Sequence, residues 1–439
     1  MRSCEVAAIL DQVLHGGNCN RLTGRNALNH SPRKAALAFI FVTVLIDMLA
    51  FGMIIPVLPM LVQDFVGGSA ARAAQMYGLF GTAWALMQFI FSPVQGSLSD
   101  HFGRRTVILT SCAGLGLDFI LMALAPNFWW LLAGRVISGI TAASFSTAGA
   151  YISDVTPPEK RAASFGVIGA AFGVGFVLGP ALGGVLGAIS PRLPFWAAAV
   201  MALANVCWGL FVLPESLPKE RRVPFSWRTA HPLGALKLLG SHPVLLGLAG
   251  SFFLMNLAHV VLPSVTVLYM HYRYGWDARA VGLMLAGVGI CSLIVQGFLV
   301  KPLVRWLKER RAMAVGLTFG AAGFAIYGLA PTGALFWIGV PVMALWGIAT
   351  PSLQAIMTGL VGPTEQGRLQ GALASLTGLA SLLGPTAFTQ TFAAFISTRA
   401  NWQMPGAPFL LAATLVFIAM LLAWRTTRPS RIPAVTETA

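Results

Sequence analysis

Repeated stretches of about twenty mostly apolar residues constrain the fold of this 439-residue chain more than any other feature. A helix needs about 20 such residues to cross the hydrocarbon core of a bilayer. Only helices and closed barrels satisfy their own backbone polar groups there. Twelve stretches qualify, centred near residues 47, 86, 116, 141, 176, 204, 257, 290, 321, 346, 381 and 415. Breaks such as "DHFGRR", "TPPEKR" and "LPESLPKERR" separate them. Charged residues make up 10% of the chain and hydrophobic residues 56%, against about 25% charged in a soluble protein. No water-soluble fold hides that much apolar surface, and disordered and fibrous classes are excluded by the same figures. The sequence predicts an all-α polytopic membrane protein with twelve transmembrane helices.

Charge sets the direction. The net charge of +15 would suit nucleic acid, but its placement is that of a topology signal. Of the 29 Lys and Arg residues, Arg72, Arg192, Arg273, Arg279 and Arg399 fall in loops on one side, and Arg135 lies within a span. All others collect on the opposite side, which the positive-inside rule assigns to the cytoplasm together with both termini. Residues 1–34 have no apolar core and read as a poorly ordered cytoplasmic extension rather than a signal peptide. Six spans then occupy 35–213, a central cytoplasmic loop 214–242, six more spans 243–424, and a cytoplasmic tail 425–439.

The halves resemble each other. Pro158, Gly166, Gly179 and Pro180 are matched by Pro363, Gly371, Gly384 and Pro385, each pair 205 apart. "QGSLSDHFGRR" (95–105) lines up with "QGFLVKPLVRW" (296–306) at an offset of 201. Two matches in order indicate a duplicated six-helix unit, whose substrate site belongs at the repeat interface near the bilayer midplane.

Four motifs carry mechanism. "GSLSDHFGRR" ends span 2: Gly96 should allow close helix approach, Asp100 can pair with cations, and Gly103, Arg104 and Arg105 form a tight basic turn. "GVGFVLGPALGG" fills span 5 with glycine, and Pro180 beside Gly179 should bend it. "LIDMLAFGMIIPVLP" places Asp47 inside span 1, and "AGRVISGITAA" places Arg135 inside span 4, four residues before Gly139. The Gly-x-x-x-Asp-x-x-Gly-Arg-Arg spacing and the six-plus-six repeat resemble the major facilitator superfamily. The span-5 motif resembles its drug/proton antiporters, which favours export. A nutrient symporter or uniporter of the same fold is the alternative. Over 38–424 the chain is most similar to the tetracycline/proton antiporter branch, through "ALMQFIFSPVQGSLSD", "GAYISDVTPPEKRA", "LPES" and "PSLQAIM" among other segments.

That resemblance implies roles. Asp47 and Asp118 match the branch's membrane-embedded acids, Asp100 and Arg104 its gating loop, and Gln88, Asn256 and Gln354 its polar cavity positions. Two departures concern the C-terminal half. The branch typically carries His in span 8, where this chain has Ser292, and Asp in span 9, where it has Gly320. Both serve export of a metal–tetracycline complex there, so proton coupling here should lean on Asp47, Asp118 and Arg135, with His259 in span 7 a candidate substitute. The resemblance further implies a bacterial cytoplasmic (inner) membrane location.

An ionised carboxylate at mid-membrane costs at least about 2.5–3.5 kcal/mol, so Asp47 and Asp118 need a function or a partner. A buried carboxyl favours its neutral form, as proton exchange between two sides requires. The two acids are expected to act together, with Asp118 on a small, mildly polar helix face suited to a cavity wall. The five cysteines show no paired spacing, and no metal-ligand cluster is seen. The expected driving force is the proton gradient, without a cofactor. The expected partners are protons, lipid and a small amphipathic drug or metabolite, moved by a functional monomer that is not an enzyme.

Overall fold

The computed structural model describes residues 30–141, 144–225, 238–240, 243–362, 365–397 and 403–428. Among them there is no strand. The first half comprises α1 (His30–Ile54), α2 (Leu58–Phe65), α3 (Ala70–Phe102), α4 (Arg104–Leu124), α5 (Phe128–Thr141), α6 (Ser144–Val155), α7 (Pro158–Ile189) and α8 (Leu193–Val212). The second comprises α9 (Pro243–His259), α10 (Val261–Tyr274), α11 (Ala278–Ile294), α12 (Val300–Leu329), α13 (Gly333–Ala344), α14 (Ala349–Gly359), α15 (Gln366–Ile396) and α16 (Ala407–Thr426). The predicted 1–34 extension lies outside the described residues up to 29, and 30–34 already belong to α1. Positions 226–237 and 241–242 of the central loop and 429–439 of the tail also lie outside them.

Eight stretches are individually long and apolar enough to cross a bilayer, and the pair Phe39–Ile54 and Leu58–Phe65, bent by 41°, makes a ninth. One of the eight, Ala278–Leu329, has 52 residues. At 1.5 Å per residue it would be about 78 Å long, far beyond the hydrocarbon thickness of about 30 Å. Lys308 divides it, with φ 63° and ψ 161°, into two crossings. With α3 and the α5–α6 pair in the remaining positions, the helices fit the twelve expected spans. The chain is a multi-pass membrane protein. Bare tryptophans at the helix ends (Trp129, Trp130, Trp196 and Trp337 at one end, Trp306 and Trp424 at the other) suit interfacial belts.

Proline explains the broken spans. Pro59 and Pro263 lack the N–H a helix needs, and their rings clash with the carbonyls of Ile55 and His259, four residues earlier. Span 1 breaks between α1 and α2, and span 7 breaks between α9 and α10. α7 runs through Pro180 without interruption, so the expected bend does not take the form of a break there.

Gly179 and Pro180 instead allow close packing. A Cβ on Gly52 of α1 would lie 2.8 Å from Pro180 Cδ and 2.9 Å from Gly179 Cα. On the other flank of α7, a Cβ on Gly282 of α11 would run into the Pro180 carbonyl, and one on Gly184 would lie 2.6 Å from Ala278 O. The second half repeats the device: Gly81 of α3 faces Pro385 of α15 at 3.1 Å, and Gly384 faces Val260 at 2.6 Å. The halves therefore meet along α7 with α11 and along α3 with α15. Thr82 hydrogen-bonds to Thr386 at 2.8 Å, Gly378 abuts Phe89, and Tyr77 Oη donates to Pro263 O at 3.3 Å. These approaches span Tyr77 to Phe89 of α3 and Gly173 to Gly187 of α7, away from the arginine-rich end. Nothing comes within 4 Å of a Cβ placed on Gly96, Gly169 or Gly297. The close helix approach expected at Gly96 is absent among the described residues: a Cβ there, toward the arginine-rich end, meets open space.

Candidate functional site

At that end, the turn after α3 forms a charge lock. Gly103 adopts φ +105°, and a Cβ there would strike the Glu215 carboxylate. Arg104 pairs with Asp100 at 2.7 Å and with Asp154 of α6 at 3.2 Å, and it donates to Ser99 Oγ at 3.0 Å. Arg104 is 13% exposed and Asp100 48%, so this Asp100 contact contributes little stability, while Arg104 ties α3 to α6. Arg105 donates to the Leu210 carbonyl. Glu215 Oε1 accepts the backbone N–H of Arg104 at 2.9 Å, Ser216 at 3.0 Å and Leu217 at 3.1 Å. A carboxylate therefore sits on the positive N-terminus of α4. Arg222 reaches the same carboxylate at 3.7 Å, and Val223 N donates to Asp100 O at 3.2 Å. Asp154 and Glu215 lie in "GAYISDV" and "LPES", but neither segment by itself says what its acid touches.

The membrane-embedded charges are arranged differently from the expectation. Asp118 is fully buried and Arg135 is 4% exposed, with Nη2 to Oδ2 at 3.5 Å. Arg135, not Asp47, is the charged partner of Asp118. Asp118 is sealed inside the bundle rather than lining a cavity wall. The reason is close packing of α4 on α5: a Cβ on Gly134 would lie 2.6 Å from Asp118 Oδ1, and one on Gly114 would strike Thr141. Arg135 also donates toward Met122 Sδ at 3.5 Å and lies 5.2 Å from the Phe80 ring centroid on α3, a cation–π geometry. Phe80 stacks on Tyr77 with centroids 5.9 Å apart. Tyr77 is the residue that bonds Pro263 in the other half. A run of contacts thus leads from the buried ion pair to the seam between the halves.

Asp47 is also buried, on α1 one turn from Thr43. Thr43 donates to Asn205 Oδ1 at 3.2 Å. Asp47 lies just on the arginine-rich side of the Gly52–Gly179 crossing, next to Met48, whose backbone and Cβ a Cβ on Gly175 would meet.

The expected cavity residues are spread over α3, α9 and α14, and no hydrogen bond joins Gln88, Asn256 and Gln354. Gln88 lies one turn from Trp84, which stacks with Phe51 at 6.4 Å. A Cβ on Gly139 would press on Met87 and the Trp84 carbonyl. Asn256 spends its amide on the Phe252 carbonyl at 2.8 Å. His259 ends α9 with its side chain open, its ring 5.5 Å from Trp346. No group of three or more His, Cys, Asp or Glu able to hold a metal occurs among the described residues.

Comparison with known proteins adds the following. Residues 40–385 match the model of the Major Facilitator Superfamily. The chain is 39% identical over 388 residues to the class C tetracycline resistance protein of Escherichia coli, covering 88% of this chain and 95% of that one. It is 37% identical over 360 residues to the class G protein of Vibrio anguillarum, covering 81% and 90%. Among solved structures it is similar to a bacterial homologue of the human lysosomal transporter Spinster in an inward-facing, unoccupied conformation. That match has a TM-score of 0.73 at 16% identity, over 91% of this chain and 97% of the other.

Proposed function

The chain belongs to the Major Facilitator Superfamily, and from that premise we propose that it exports a small amphipathic drug of the tetracycline class by alternating access, in exchange for protons. The observation that carries this reading is the Asp118–Arg135 pair, fully enclosed in the first bundle and linked by stacked rings to the seam between the halves. An ion pair out of water is stable only while both charges persist. A proton arriving on Asp118 neutralises one partner and frees Arg135 to move. Phe80 and Tyr77 lie between Arg135 and the Tyr77–Pro263 contact, so that motion bears on the closed end of the interface. Asp47, beside the α1–α7 crossing, is the second exchanging group.

The arginine-rich end is the cytoplasmic one, and both termini lie there, in the bacterial inner membrane. The state described is then open to the cytoplasm and ready to load drug. When the halves rock, the cytoplasmic ends close and the Asp100–Arg104–Asp154–Glu215 lock keeps the N-terminal bundle moving as one body. The proton gradient is the driving force, no cofactor takes part, and the monomer suffices. The fold carries out transport and performs no chemistry on its cargo.

Proteoliposomes given an imposed pH gradient test the reading. Expected is uphill movement of tetracycline that is lost with Asp118→Asn and with Asp47→Asn. Uphill movement that survives both substitutions would overturn the coupling assignment. Failure to move any amphipathic drug would overturn export.

A further inference from the structure

The second half presents a candidate face of its own: the exposed imidazole of His259, backed by the buried, packed Trp346, Phe324 and Gly320. We propose that His259, held in place by Trp346, is the substrate-contacting group of this half, and that the face takes a flat aromatic molecule free of any divalent cation. This deepens the export reading and rests on it.

A divalent cation carried by the substrate would be met best by carboxylate oxygens. In the second half Asp277 caps α11, Glu309 lies at the Lys308 break, and Glu365 precedes α15. None lies within a span. Gly320 is the span-9 position where the resemblance to the tetracycline/proton antiporter branch implies an acid, and the Trp346 indole lies directly on it. A Cβ at 320 would sit 2.7 Å from Trp346 Cδ1, 2.8 Å from Cγ and 3.1 Å from Nε1. Phe324 meets the same indole edge-on at 5.3 Å. The volume an acid side chain would need is filled by a ring that cannot easily turn away.

His259 meets the same indole, with ring centroids 5.5 Å apart. Pro263 ends α9 at His259, so span 7 is discontinuous near its middle, the kind of break that lines transporter substrate sites. The imidazole keeps open surface although protein surrounds it, as expected of a group facing an internal space. Its ring is tilted 46° to the indole. Trp346 is 8% exposed, and its Nε1–H has no hydrogen-bond partner, unusual for a buried donor. Imidazole offers one donor and one acceptor when neutral, and its open, planar ring can itself stack on a flat aromatic. A chelated cation would add positive charge to a wall with no acid to receive it.

The test is equilibrium binding of tetracycline to the purified full-length protein, in EDTA and in millimolar Mg²⁺. Expected is equal affinity within about threefold in the two conditions, a loss of tenfold or more with His259→Ala, and a smaller loss with Trp346→Phe, which keeps a ring in place. Unfolding midpoints check that each variant is folded. The pair Gly320→Asp with Trp346→Gly should make binding Mg²⁺-dependent. A tenfold or greater drop in EDTA for the unaltered protein, unchanged affinity with His259→Ala, or no binding in either condition would each overturn the proposal. Vesicle efflux judges the export reading separately: drug movement that requires Mg²⁺ keeps export and removes this inference.

Discussion

Replacing Asp118 by Asn, Arg135 by Met, and both together tests whether the buried pair acts as one unit. Two unit charges at 3.5 Å attract by about 5 kcal/mol at an effective dielectric of about 20. Much of that offsets the desolvation of both ions. Removing one partner leaves the other charge stranded, which costs about 3–5 kcal/mol. The Arg135 change should cost somewhat more, because it also removes the Phe80 contact, worth about 0.5–2 kcal/mol. Independent effects would add to about 6–10 kcal/mol in the double variant. A coupled pair predicts about 1–3 kcal/mol instead, since no charge is left behind. Reversible unfolding of the purified protein in mixed micelles supplies all four corners of the cycle. A double variant as unstable as the sum of the singles would refute the pairing. So would a stable Asp118→Asn variant, because it would mean Arg135 has another counterion.

Three further outcomes are expected. Gly183→Val should prevent folding or destabilise by more than about 3 kcal/mol, because any Cβ there runs into the Met53 carbonyl of α1, a backbone atom that cannot step aside; expression and gel filtration read this out. Glu215→Ala should cost about 0.5–2 kcal/mol by uncapping α4, seen as a lowered unfolding midpoint, with Arg222→Ala costing less at its longer 3.7 Å contact. Lys308→Gly should stabilise by about 1–3 kcal/mol, because φ 63° with ψ 161° is a region left almost entirely to glycine; an unchanged or lowered midpoint would count against the strained turn.

Lys308 also shows how far the internal repeat could be followed in the sequence. The 201-residue offset from "QGSLSDHFGRR" places the second turn near Arg305. The structure places it at Lys308, 205 residues after Gly103 and at the same offset as the Gly179–Pro180 and Gly384–Pro385 pairs. Between Gln296 and this turn the chain gains about one helical turn, beginning at the π-helical stretch Val295–Leu299. Sequence matching alone does not locate such an insertion inside a helix, because apolar residues on either side align equally well.

The multi-pass, all-helical membrane fold was legible because bilayer thickness and the cost of burying charge in it act on each segment separately, and local composition records both. The candidate charges were legible for the same reason: Asp47, Asp118 and Arg135 each lie in apolar surroundings where a charge has to be justified. Their partners were not. Asp118 meets Arg135 only because Gly134 lets α5 come close. The Glu215 carboxylate reaches the start of α4 only because the chain returns across the basic end. Trp346 covers Gly320 only where spans 9 and 10 pack. These contacts join residues from 17 to 111 positions apart, and they depend on how close two helices can approach, which small side chains permit but do not specify. Local physics wrote the membrane plan into the sequence, and tertiary packing decided which charges face each other and what the second half offers a substrate.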